Sequence, residues 1–113
     1  MTSNSETIMY VGGAEYLFVN VEKFEVNSEP ADPTTYTPKF QFVAMGGAPV
    51  DANWRTENCE WVIVDGEDKV RLLAENVDHS KLAAGHYWVF IKLSSMTEDI
   101  IRPAGGLHVR TSA

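Results

Sequence analysis

Apolar side chains recur at every second position along much of the chain, and Gly, Pro, Asp and Asn gather between the runs. A period of two marks half-buried strands, because successive strand side chains point to opposite faces. The clearest run is residues 87–93, where Tyr87, Val89, Ile91 and Leu93 alternate with Trp88, Phe90 and Lys92. Residues 39–45 repeat the pattern with Phe40, Phe42 and Ala44 on one face, until Gly46-Gly47 and Pro49 stop it. In residues 58–64, Cys59, Trp61 and Ile63 share a side. Asp65-Gly66-Glu67-Asp68 then reads as a polar turn, with residues 70–73 returning as the partner strand. Upstream, residues 16–26 form a long strand with Leu17, Val19 and Val21 on one face. Phe24 and Val26 break its phase, which calls for a bulge or a change of sheet. Residues 8–11 form a short edge strand ending at Gly12-Gly13. Pro30 and Pro33 make residues 28–33 a crossing loop, since proline cannot donate to a ladder. Pro103 and Gly105-Gly106 split residues 100–110 into two pieces, and only residues 72–77 offer a short helical spacing.

About seven short strands punctuated in this way predict an all-β fold, an immunoglobulin-like β-sandwich. Residues 82–87 sharpen the expectation, because Leu82-Ala-Ala-Gly85-His-Tyr87 has the form of a tyrosine corner, with Gly85 supplying the turn. Tyr87, Gly85 and Trp61 are thus expected to be structural. The Cys-Trp-Cys framework of antibody domains is missing.

Composition narrows the class further. A chain of 113 residues allows one domain, read as an N-terminal arm over residues 1–15 and a sandwich over residues 16–113. Sixteen acidic against nine basic residues give a net charge of -7, and the basic residues are scattered singly from Lys23 to Arg110. Nucleic acid and anionic membrane are therefore not expected as partners, since both need clustered cations. The single Cys59 cannot close an internal disulfide, and the N-terminal residues lack the features of a secretory signal. Assembly in a reducing cytoplasm is the expectation.

Candidate chemistry is sparse. His79, His86 and His108 lack the spacing of metal ligands or of a nucleophile and base, so exposed or structural roles are expected. Cys59 reads as a small buried hydrophobe beside Trp61. Asp65, Glu67 and Asp68 lack the Asp-x-Asp-x-Asp-Gly pattern of a calcium loop and read as a solvated turn. Asp51, Glu57 and Glu60 near Trp54 do not define a glycosidase pair, because carboxyl separation is not legible in sequence. The gly-gly doublets look like turns, not a phosphate cradle. No catalytic residue, cofactor or metal is expected, and the chain is read as not an enzyme.

The alternation instead places Trp88 and Phe90 opposite the core face of their strand, with Val62 and Val64 outward on theirs. Outward apolar residues of this size need cover from the chain's own loops, from the N-terminal arm, or from a partner. Met9 and Tyr10 of the arm join Trp88, Phe90, Val62 and Val64 as candidate interface residues.

The order of these features resembles a group of small proteins encoded among the head and tail genes of tailed bacteriophages, especially those of actinobacteria. The matching steps are Asp32-Pro33-Thr34, the strand from Phe40 to Ala44, Gly46-Gly47-Ala48-Pro49, Trp54 through Trp61, Leu82 to Leu93, Thr97-Glu98-Asp99, and Ala104-Gly105-Gly106-Leu107-His108-Val109. The resemblance covers residues 32–110, and the pattern departs at the doubled Gly105-Gly106 and the hydrophobic strand over residues 16–26. It implies a non-enzymatic virion structural protein, foremost a head decoration or minor capsid protein that reinforces the capsid and binds the major capsid protein and further copies of itself. A head-tail connector or tail component is the alternative within that class. From another class, an immunoglobulin-like module would bind carbohydrate or a host surface through residues 46–54.

Overall fold

The computed structural model describes residues 6–10, 14–21, 25–26, 29–75 and 83–110. Among the described residues nine strands run in chain order as β1 (Glu6–Tyr10), β2 (Ala14–Asn20), β3 (Glu25–Val26), β4 (Glu29–Pro30), β5 (Thr37–Ala44), β6 (Cys59–Val64), β7 (Glu67–Glu75), β8 (Gly85–Ser94) and β9 (Asp99–Arg110). A four-stranded sheet has the order β1-β9-β8-β5, a three-stranded sheet the order β2-β7-β6, and β3 and β4 form a two-residue ladder of their own. The two larger sheets pack face to face over one core, so the chain is an all-β sandwich.

Alternation places the core. Antiparallel pairing sets Phe40 opposite Ile91 and Phe42 opposite Val89, while Val43 faces Trp88 and Gln41 faces Phe90 on the other side of the same ladder. Phe40, Val89, Ile91 and Leu93 meet Leu17, Val19, Val70, Leu72 and Ala74 from the second sheet. The Phe40 and Phe42 rings add an edge-to-face contact with centroids 5.4 Å apart. At the rim the Trp61 indole N–H donates to the Tyr36 carbonyl at 2.9 Å, and the Tyr36 hydroxyl donates to Glu98 at 2.6 Å. This chain of bonds ties β6 to the approach to β5 and to the turn between β8 and β9.

Several elements differ from the sequence expectation. Residues 100–110 are one strand of twelve residues beginning at Asp99, not two pieces. Val89 pairs with Gly105 and Phe90 with Pro103, leaving Ala104 as the extra residue of a bulge. Gly105 has φ +139°, a conformation that a side chain resists, so the glycine permits the bulge and the ladder resumes beyond it. Pro103 lies beside the bulge on the stretch of β9 that β1 does not flank, a position where proline is tolerated.

The polar turn is confined to Asp65 and Gly66, both with positive φ, so Glu67 and Asp68 already belong to β7. Residues 72–75 of the helical candidate are strand, and residues 76–77 lie outside the described residues. Ile63 keeps the parity of Cys59 and Trp61 but is 74% exposed, because it pairs with Asp68 at the end of the hairpin, beyond the core. The expected strand over residues 16–26 is β2 and the short β3; Phe24 lies outside the described residues. Pro30 lies in β4 and Pro33 opens a 3-10 turn capped by Asp32.

Residues 6–10, within the arm expected over residues 1–15 and overlapping the short edge strand expected over residues 8–11, form the edge strand β1. It pairs in parallel with β9 from Glu6 opposite Gly106 to Tyr10 opposite Arg110. The partner that decides its facing is thus at the far end of the chain. Met9 lies beside Val109 and is 1% exposed.

Candidate functional site

The outer face of the four-stranded sheet brings together three of the six expected interface residues, Trp88, Phe90 and Tyr10. Trp88 and Phe90 stand on it, both half-buried. Their neighbours differ on the two sides: β5 contributes Val43 and Gln41, whereas β9 contributes Gly106 and Pro103. On the β5 side the segment after that strand folds back. Gln41 is 3% exposed, with its amide nitrogen donating to the Val50 carbonyl and its amide oxygen accepting from the Val50 N–H, both at 3.1 Å. Arg55 and Phe40 exchange two backbone bonds of 2.9 and 3.0 Å, and the Lys92 ammonium lies 5.5 Å from the Trp54 ring centroid. Residues 45–55 therefore cover the β5 half of the face. One side of Trp54 is taken by Lys92, and its indole N–H is buried without a hydrogen-bond partner among the described residues.

The β9 half is different. A cleft of about 1020 Å³ is lined by Trp88, Phe90 and the Pro103 to Gly106 stretch together with the core residue Val89 and residues 16–20 of β2, so it is shared between the two sheets. Gly105 and Gly106 place no side chain in it, which leaves the aromatic residues beside bare backbone. On β1, Ile8 and Tyr10 are exposed and flank His108 and Arg110. Met9, expected among the interface residues, turns into the core instead, so any surface that β1 presents comes from its even-numbered positions.

Val62 and Val64 are half-buried on the outer face of the second sheet, opposite Lys69 and Glu67. Across β7, on the far strand of the same sheet, stand Tyr16 and Phe18, each more than half exposed, which the sequence reading did not single out. The same alternation signals them: with Leu17 and Val19 inward, Tyr16 and Phe18 must face out. Arg71 lies 5.0 Å from the Tyr16 ring centroid and also pairs with Glu60.

The structural residues fall as follows. The Tyr87 hydroxyl donates to the Ala83 carbonyl four residues upstream at 2.7 Å, and Gly85 opens β8 with φ +153°. Cys59 is half-buried against the core, and burial followed by the nearby Glu60 carboxylate pushes its thiol up to about 12. His86 and His108 stack across β8 and β9, while His79 lies outside the described residues. Asp51, Glu57, Asp65, Glu67 and Asp68 are exposed. Among the described residues no three His, Cys, Asp or Glu side chains gather in one place.

These features define a class: a two-sheet all-β protein with apolar residues standing on the outer faces of both sheets. No family model matches the chain, and no curated protein matches it.

Proposed function

We propose that this chain is a non-enzymatic structural protein of a bacteriophage virion, an immunoglobulin-like domain that decorates and reinforces the head by docking on the major capsid protein. The observation that carries the proposal is the half-covered outer face of the four-stranded sheet. Trp88 and Phe90 line an open cleft there, with Ile8 and Tyr10 exposed on the neighbouring β1. Large aromatics beside a cleft are the residue types that anchor protein interfaces, and a stable interface of about 800 Å² per partner would cover this surface. The immunoglobulin-like part of the reading draws support from three features: parallel pairing of β1 with β9, the strand orders β1-β9-β8-β5 and β2-β7-β6, and the bond from Tyr87 to Ala83. The net charge of -7 keeps such a surface soluble before assembly.

Titration of the purified chain onto particles that lack it tests the proposal. The wild-type chain is expected to saturate in hundreds of copies per particle, and Trp88→Ala to lose at least tenfold in affinity. Equal occupancy by the variant removes Trp88 from the interface. Saturation at about six or twelve copies assigns the chain to a closed ring at the head-tail junction instead.

A further inference from the structure

We propose that two copies of this chain associate through the outer edge of β2, pairing antiparallel about a two-fold axis at Phe18. This goes beyond the docking role, which uses the outer face of the other sheet, and does not depend on it. Among the described residues β2 ends the three-stranded sheet and pairs on one side only, with β7. Residues 16–20 all line the cleft, although Leu17 and Val19 face the core while Tyr16 and Phe18 face outward. Successive side chains alternate between the faces of a strand, so five in a row meet one cavity only along the strand's edge. The cleft therefore runs beside the backbone groups of β2 that point away from β7.

An open edge is a template for another strand, and chains block it with charges, proline, bulges or covering segments. Here β5 and β9 carry such devices. Arg55 exchanges two backbone bonds with Phe40 along β5, and Pro103 and the bulge occupy the stretch of β9 that β1 does not flank. Residues 16–20 of β2 have neither proline nor bulge, and no charged side chain lines the cleft. That last feature selects the occupant. A chain of net charge -7 repels its copies, and they approach most readily where both surfaces are uncharged; a two-fold axis sets one such patch against itself. Centred on the middle of the five residues, the pairing sets Phe18 against Phe18 of the second copy on the outer face and Leu17 against Val19 on the inner one. Aromatic cross-strand pairs stabilise such ladders, and the exposed Tyr16 and Phe18 rings gain cover. A five-residue ladder buries less than the roughly 800 Å² per partner of a standard interface, so the association is weak and reversible.

Sedimentation of the full chain over a concentration series tests the contact. The wild-type chain is expected to form a reversible dimer. Phe18→Lys and Phe18→Glu each set like charges opposite one another and are expected to weaken it at least tenfold, and an equimolar mixture of the two to restore it. Phe18 lies opposite Arg71 within the chain, so the lysine variant is the harsher on the fold and the glutamate variant the gentler. Recovery in the mixture excludes misfolding as the cause of either loss. On the wild-type chain, association is expected to slow amide hydrogen exchange within residues 16–20, a readout that needs no variant. A monomer at every concentration, an undiminished dimer in both variants, a mixture no tighter than either variant alone, or exchange slowed only outside β2 overturns the assignment. Loss of the dimer in a chain starting at Glu6 assigns the contact to residues 1–5 and overturns it too.

Discussion

Cys59 shows how position sets reactivity. Its side chain packs against the core beside Trp61, and both burial and the Glu60 carboxylate disfavour the thiolate. Because the thiolate is the nucleophile, a thiol held near 12 is almost wholly protonated at neutral pH. The folded chain is expected to react with iodoacetamide at pH 8 at least a hundredfold more slowly than the same chain in denaturant. Equal rates would show that the thiol is neither buried nor shifted. The sequence-level reading of Cys59 as a small hydrophobe rested on its neighbours in the alternation, and the same local pattern placed Trp88 and Phe90 outward. What the local pattern did not contain was the pair of hydrogen bonds between Gln41 and Val50, which decides how much of that outer face is covered.

Among the elements, β8 was the most legible because both of its faces are distinct over many residues. β9 was read as broken because Pro103 and Gly105-Gly106 signal a turn locally, yet pairing with β8 carries the strand across them through one extra residue. Length decided β1: five residues are too few to show a period, and its facing depends on a parallel partner a hundred positions away. That placement has a measurable consequence. Met9→Ala is expected to destabilise the chain by about 2–5 kcal/mol in urea unfolding, the range for truncating a buried methionine. Ile8→Ala, at an exposed position of the same strand, is expected to cost under about 1 kcal/mol. Similar small effects for both would mean that β1 is not part of the core.

For the whole molecule, the rim bonds set a pH window. Hydrogen bonds from the Thr34 hydroxyl and N–H hold the Asp32 carboxyl below its ordinary value. Its contribution is present above the unfolded value and is lost as pH falls below about 4 and through the folded value. Tyr36 is shifted the other way, raised chiefly by donating to Glu98. The folded state then keeps a proton that the unfolded chain releases, so its contribution is present below about pH 10 and lost as pH rises from there. Thermal unfolding across pH is expected to show both declines, with Asp32→Ala flattening the acid limb and Tyr36→Phe the alkaline one. Profiles parallel to wild type in both variants would remove these bonds from the account.

The pairing of β1 with β9 also bears on how the chain comes to be folded. β1 finds its ladder on β9, so the four-stranded sheet closes only after residues 106–110 have been synthesised. Contacts this distant along the chain are slow to form, because the intervening loop must be closed before they can contribute. A growing chain on the ribosome has no seat for Met9 until β9 emerges. A chain cut short before Gly106 therefore leaves β1 without its ladder.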